Sequence, residues 1–390
     1  MSAQSYLSRG VSPTKDDVKK AVSGQSGGVF PGAFCKLIED IAGDPDYCMS
    51  IHADGAGTKS SVAYLQYMET GNSSSFFSVA QDSLVMNTDD LACVGAMSNF
   101  CLSNTIGRNA HRVNGECIAQ IISGYDHMIS LLGKYGVQIT MSGGETADVG
   151  DLVRTVIIDS TLVVRMKRED VINASQIKPG HVIVGLASSG QSGYENKYNS
   201  GISSNGLTAA RHMLLSKKYL EKYPESLSET IPEEKAYCGK FLLSDMLPET
   251  NITVGEAILS PTRTYLPILS AMLPKYRGRI SGIIHCTGGG QVKCRDFGHG
   301  IRYIKDNLFE MPPIFRTIYE SGEIPMKEMY QVFNCGHRME IYCDPEIVSE
   351  LIAISAEFGV DARIVGRVEA SGNPDQNEVV IRSGKEEFSY

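Results

Sequence analysis

Six consecutive residues, Asp54-Gly55-Ala56-Gly57-Thr58-Lys59, bring together groups that handle a metal-bound phosphate. Asp54 is a hard oxygen ligand, and Gly55 and Gly57 let backbone N–H groups approach phosphoryl oxygens. Thr58 adds a hydroxyl and Lys59 a point charge. The spacing is not that of a P-loop, which needs four residues between its first glycine and the Gly-Lys pair. An ordinary strand-to-loop turn has the same composition, so the weight falls on what accompanies it. Asp89 and Asp90 stand together in a stretch kept apolar by Val79, Leu84, Leu91 and Val94. Desolvating two carboxylates is costly, so they need a bound cation or a solvated face beside a lysine. With Asp54 in the same chain, the cation is favoured. Ser142-Gly143-Gly144-Glu145-Thr146 reads as a second glycine turn delivering a carboxylate and a hydroxyl, and Cys286-Thr287-Gly288-Gly289-Gly290 as a third. GGVFPG at 27–32 neither follows a strand nor has GxGxxG spacing, so it is not a dinucleotide fingerprint.

Each turn needs a strand to launch it. Met49, Ile51 and Ala53 alternate ahead of Asp54, Val137–Met141 forms an apolar run ahead of Gly143, and Ile280–His285 one ahead of Cys286. Helices are expected over 62–70 and 76–96, the latter carrying the aspartates. Arg112–Lys134 has the clearest helical period, with Ile118, Ile121, Tyr125, Met128, Ile129 and Leu132 on one stripe. Further strands are expected at 97–105 and 153–164. Lys178-Pro179-Gly180 punctuates the chain just before the strand Val182–Ala187, which places a boundary between domains of residues 1–177 and 178–390. A long polar loop then runs from Ser188-Ser189-Gly190 to Ser204-Asn205-Gly206, and residues 217–249 read as a charged surface excursion. Residues 1–46 look irregular, and their Gly/Pro-rich part, 25–32, suits either a flap over a ligand or a surface arm. The tail alternates helix and strand. Mixed β and α in both halves predicts an α/β (mixed α+β) architecture.

The totals narrow the function. A net charge of −9 on 390 residues excludes a general nucleic-acid binder, so cations for an anionic ligand must be local, as at Lys59 and Arg263. No apolar run approaches bilayer length and the first ten residues lack an export core, so a cytoplasmic protein without membrane partners is expected. Ten cysteines without CxxC or zinc spacing suggest reduced thiols, with Cys93, Cys101, Cys286 and Cys343 acting as small hydrophobes.

Taken in order, these motifs resemble the phosphoribosylformylglycinamidine cyclo-ligases, the aminoimidazole ribonucleotide synthetases. DGAGTK at 54–59 is similar to that family's DGVGTK, and Asp89-Asp90-Leu91 with Gly95-Ala96 to its Asn-Asp-Leu and Gly-Ala. Gly143-Gly144-Glu145-Thr146-Ala147, Ser188-Ser189-Gly190, Ser204-Asn205-Gly206, Pro261-Thr262-Arg263, Thr287-Gly288-Gly289-Gly290 and Phe333-Asn334-Cys335-Gly336 match its further motifs. The resemblance implies two α/β domains, and a homodimer whose N-terminal sheets pair into a barrel-like core. It implies ATP, Mg²⁺ and formylglycinamidine ribonucleotide as cofactors and substrate. Ring closure would give aminoimidazole ribonucleotide, ADP and phosphate through phosphorylation of the formyl amide oxygen. Asp54, Lys59 and Asp90 would be catalytic, with Asp54, Asp90 and Glu145 on the metal. Gly55, Gly57, Thr58, Gly143, Gly144, Thr146 and Gly288 to Gly290 would contact ATP. Ser188, Ser189, Asn205, Gly206, Thr262, Arg263 and Asn334 would contact substrate. Asp90 is preferred to Asp89, which stands where the family has Asn. Two departures remain: Ser203 stands where the family has a histidine before Ser-Asn-Gly, and His337-Arg338 replace a small apolar pair. His212 is expected to be structural. The alternatives are another ATP-using member of the superfamily (selenophosphate synthetase, thiamine-phosphate kinase or hydrogenase maturation type), or a non-catalytic nucleotide-binding relative.

Overall fold

Two open mixed sheets and the helices between them form the computed structural model, which describes residues 4–12 and 16–390. The first sheet contains β1 (Ile38–Glu39), β2 (Tyr47–Gly55), β3 (Phe100–Arg108), β4 (Ile139–Asp148) and β5 (Val156–Lys167), in the order β1-β2-β5-β3-β4. Only β3 and β4 pair in parallel. The second contains β6 (Val182–Ala187), β7 (Ile280–His285), β8 (Ile301–Lys305), β9 (His337–Cys343), β10 (Ala362–Ala370), β11 (Glu378–Ser383) and β12 (Glu386–Ser389), ordered β12-β11-β8-β10-β6-β9-β7.

The helix Phe77–Ala92 joins the two halves. It packs on β2 and β5 with one side and meets β7 and the helix Leu266–Tyr276 with another. Being enclosed all round, it buries polar residues as well as apolar ones: Asp82, Ser83, Asn87, Thr88, Asp89 and Asp90 all lie inside. The helix Gly115–Gly133 covers it, opened by Asn114, whose side chain accepts a hydrogen bond from the Cys117 N–H at 3.1 Å.

Four expectations change. The GGET stretch is not a turn: β4 runs straight through Gly143, Gly144, Glu145 and Thr146, held by parallel pairing with β3. Residues 217–249 are not a surface excursion, because Tyr219, Tyr223, Leu227, Ile231, Tyr237, Leu243 and Leu247 are buried in the C-terminal core. Within 1–46 the described residues include helices at Gln4–Leu7 and Asp16–Val22; residues 1–3 and 13–15 lie outside the described ones. Cys101 is exposed, unlike Cys93, Cys286 and Cys343. It sits on the face of the first sheet that no helix among the described residues covers, in one row with Ile51 and Val163.

Candidate active site

The cleft that gathers the first and third glycine turns has a volume of about 500 Å³. Its walls include Asp54, Gly57 and Thr58 from the end of β2, Asp90 from the Phe77–Ala92 helix, and Ser204, Asn205 and Gly206 from the end of the long loop. Thr287, Gly288, Gly289 and Lys293 close it from the second sheet. Tyr6, Val18 and Lys19 of the N-terminal segment also line it, held in place by Glu328 accepting from the Tyr6 N–H (2.8 Å) and by a Lys19–Asp296 ion pair (3.1 Å). The two halves meet across the cleft through the hydroxyls of Thr58 and Thr208, 3.0 Å apart. Gly206 lies at φ +78°, and a Cβ there would meet the Phe333 ring at 2.4 Å, so only glycine carries the chain past that ring into the next helix.

Asp90 sits at the base of the cleft. Its Oδ1 accepts from His285 Nδ1 at 2.7 Å, and its Oδ2 lies 3.5 Å from His52 Nε2. Burial works to raise the Asp90 pKa, yet the His285 hydrogen bond and the charges of His285, His52 and Lys293 outweigh it and hold the carboxyl below its usual range. Asp89 points elsewhere. Its oxygens accept from the Thr264 hydroxyl (2.7 Å) and the Tyr265 N–H (2.9 Å) just ahead of the Leu266–Tyr276 helix, and burial raises its pKa. It is therefore neither a solvated residue nor a wall of the cleft.

Lys59, Arg263 and Glu145 are among the expected site residues placed outside the cleft. Lys59 is fully buried, its ammonium held by Asp82 Oδ1 and by the Ser260 carbonyl, both at 2.6 Å. Arg263 is likewise buried, in an ion pair with Glu195 (2.6 Å) and donating to the carbonyls of Ala187 and Ser189. Glu145 shares a row with Thr105, Asp159 and Gly55 on the open face of the first sheet, whereas Asp54 shares the adjacent row with Ser160, Asn104 and Gly144. Adjacent rows point to opposite faces, and three strand spacings amount to about 14 Å. Within one chain, then, Glu145, Gly143, Gly144 and Thr146 do not reach Asp54 and Asp90.

Several of the proposed substrate contacts are structural ties in this arrangement. Thr262 donates N–H (2.8 Å) and hydroxyl (2.5 Å) hydrogen bonds to Asp82, which also accepts from Ser204 (3.0 Å). Ser188 donates to Asn334 Oδ1 (2.7 Å), and Asn334 donates to the Gly201 carbonyl (2.8 Å). Gly290 is buried against the Phe333 and Tyr330 carbonyls, and Gly55 closes the β2–β5 pairing opposite Asp159. His337 and Arg338 are buried and line neither the cleft nor the surface: His337 Nε2 is 2.8 Å from Glu340, and Arg338 donates to Ser203 and to the Arg263 carbonyl. His212 is buried, and its Nδ1 accepts from the Tyr237 N–H at 3.1 Å; burial first, then Arg211 and Arg9, push its pKa down to about 2.

The sequence reading missed His52, His285, Cys35, Asp82 and Lys293. For two of them a signal existed. His52 stands two residues before Asp54 on a strand, hence on the same face, and His285 is the last strand residue before the third glycine turn. Asn205 Oδ1, on the wall of the cleft, is a buried atom without a hydrogen-bond partner among the described residues, which marks it as an acceptor for a ligand N–H or O–H.

A mixed two-sheet chain with this interdomain cleft belongs to a known class. The families described as AIR synthase related protein, N-terminal domain and C-terminal domain match residues 33–166 and 178–375. The chain belongs to the AIR synthase related proteins. It is 29% identical over 341 residues to the phosphoribosylformylglycinamidine cyclo-ligase of Methanocaldococcus jannaschii, covering 86% of this chain and 84% of that one. Its fold is similar to T. maritima PurL, solved in complex with FGAR (TM-score 0.54, 12% identity, 97% of this chain) and with ADP (TM-score 0.53, 12% identity, 99% of this chain). The chain spans about half of PurL, 49% and 50% in the two structures. The hydrogenase maturation protein HypE is also similar (TM-score 0.54, 10% identity, 89% of this chain and 88% of that one).

Proposed function

We propose that this chain is a phosphoribosylformylglycinamidine cyclo-ligase. It closes the imidazole ring of formylglycinamidine ribonucleotide with ATP, releasing aminoimidazole ribonucleotide, ADP and phosphate. The observation that carries the reading is the convergence of Asp54, Gly57, Thr58, Asp90, Asn205 and Gly288–Gly289 on one cleft, in a chain whose relative in Methanocaldococcus jannaschii, matched over 84% of its length, is named for that reaction.

An amide oxygen leaves poorly, so closure at the formyl carbon needs activation. The γ-phosphoryl passes from ATP to that oxygen, ADP departs, the neighbouring amidine nitrogen attacks the carbon, and the C–O bond breaks with release of phosphate. Such transfers rest on positioning and charge neutralisation. The backbone N–H groups of Gly57, Gly288 and Gly289 suit phosphoryl oxygens, and Lys293 supplies the cleft cation that the buried Lys59 does not. Asn205 Oδ1 accepts from ligand, and Thr58 donates its hydroxyl. Asp54 and Asp90 form the hard-oxygen pair that fits Mg²⁺, which would neutralise phosphoryl charge. Lys59, Thr262, Arg263, Ser188 and Asn334 act as positioning residues through the ties described above.

The division into domains 1–177 and 178–390 belongs to the same reading, with each sheet serving as one domain's frame. So does a cytoplasmic homodimer. The open face of the first sheet exposes Ile51 and Ile157, and β4 is an edge strand exposed along most of its length. A second copy covering that face would bury the apolar row, pair the two sheets into a barrel-like core and change what Glu145, Gly143, Gly144 and Thr146 meet. The test is incubation with formylglycinamidine ribonucleotide, ATP and Mg²⁺, reading the aminoimidazole by diazotisation. ADP release without aminoimidazole would reassign the chain to another ATP-using relative.

A further inference from the structure

A donor set of a different kind shares Asp90 with the proposed magnesium pair. One ligand atom from each of Cys35, His52 and Asp90 falls within 4.8 Å of the other two. The hydrogen-bond network orients the imidazole. The Asn87 NH₂ group donates to the carbonyls of Asp54 (3.0 Å), Ser83 (3.0 Å) and Ser160 (3.2 Å), which leaves its Oδ1 as an acceptor 2.9 Å from His52 Nδ1. His52 Nδ1 is therefore a donor to Asn87, which turns Nε2 toward Asp90 Oδ2 at 3.5 Å and leaves it as the ring atom that can meet an ion. Asp90 Oδ1 is already satisfied by His285, which orients the carboxylate toward His52. Cys35 is buried beside them, its thiol 3.2 Å from the Asp90 carbonyl.

We propose that Cys35, His52 and Asp90 bind a divalent transition cation of the Zn²⁺ or Co²⁺ type, distinct in chemistry from Mg²⁺. A tetrahedral ion with bonds of 2.0–2.3 Å holds its ligands about 3.3–3.8 Å apart, and His52 Nε2 and Asp90 Oδ2 already have that separation. One imidazole, one thiolate and one carboxylate carry two negative charges when the thiol proton leaves, matching a divalent ion, and a nitrogen–sulfur set favours borderline metals over magnesium. His52 donates its other ring nitrogen to an amide oxygen, and Asp90 is oriented by His285, the usual outer support of metal ligands. Cys286, His337 and Glu340 also cluster, but there Glu340 accepts from Lys305 Nζ (2.5 Å) and the Tyr342 hydroxyl (2.5 Å), with His337 at 2.8 Å. An ammonium already supplies the positive charge in that cluster.

The test is titration of the chelator-stripped full chain with Co²⁺, without ATP or substrate, so that its result is separate from that of the turnover assay. One equivalent should bind with a near-ultraviolet thiolate-to-cobalt charge-transfer band. Cys35→Ser should lose the band and weaken binding at least about tenfold. His52→Gln should weaken binding similarly while keeping the band, and Cys286→Ala should change neither. If Cys35→Ser fails to fold by circular dichroism, the band and affinity of His52→Gln and Cys286→Ala decide. No cobalt uptake, a band that survives Cys35→Ser, or a band removed by Cys286→Ala overturns the site.

Discussion

Replacing Lys59 tests whether it acts on phosphate or holds the two halves together. Its ammonium and the Asp82 carboxylate are both fully buried, and Asp82 also gathers Thr262 and Ser204 from the other half of the chain. Burial pulls the Lys59 pKa down, and the neighbouring Asp82 only partly restores it, so the charge is present at a cost that the pairing offsets. Breaking a buried pair from one side costs about 3–5 kcal/mol. Lys59→Met leaves Asp82 with three donors, the Thr262 N–H, the Thr262 hydroxyl and the Ser204 hydroxyl, which puts its loss near the lower figure, about 3 kcal/mol. Asp82→Leu leaves a buried ammonium facing the Ser260 carbonyl, so its loss falls near the upper figure, about 5 kcal/mol. The double variant should cost less than the sum, because neither charge is then stranded. At about 2–4 °C per kcal/mol, Lys59→Met should melt roughly 6–12 °C lower. The chain has no Trp, so far-ultraviolet circular dichroism in urea is the natural assay, with turnover measured where each variant is folded. A Lys59→Met variant that melts within about 1 °C of the parent but has no turnover would refute the structural role and return Lys59 to the phosphate.

Asp54→Asn should cut magnesium-dependent turnover by about 10²–10³-fold while leaving the melting temperature unchanged, because the residue stands at the cleft wall; steady-state kinetics beside a thermal melt checks this. Glu340 has its pKa lowered from the ordinary 4.5 to about 2, burial opposing and Lys305 and His337 prevailing. A carboxylate lowered on folding stabilises fully above its unfolded pKa and loses that contribution as pH falls through the folded value. Glu340→Gln should therefore be less stable at neutral pH and should flatten the stability decline between about pH 4.5 and 2, read as urea midpoints against pH. Ile157→Asp, on the uncovered face of the first sheet, should yield a folded monomer by light scattering; an unchanged mass would remove that face from the proposed dimer contact.

The residues around Asp54, Asp90 and Gly288 were legible in the sequence because local chemistry and period write them: alternation sets a strand, and glycine marks where it breaks. The long amphipathic helix at Gly115–Gly133 was legible for the same reason, and its cap fell within three residues of the expected start at Arg112. What chain order could not say is which charged groups end up facing solvent. Lys59 and Arg263 have the composition of phosphate ligands, yet Asp82 lies 23 residues from one and Glu195 68 residues from the other, and only folding brings those carboxylates to them. Glu145 sits in a motif that reads as a turn, but parallel pairing with β3 holds it extended and puts it on the face opposite Asp54. Residues 217–249 look polar because their tyrosines are spaced among charges, and the C-terminal core takes up the rings. Local pattern thus determined the strands, helices and glycine breaks. The partners of each buried charge were decided by tertiary packing, because an ionised group inside a protein must find its counter-charge wherever in the chain that lies.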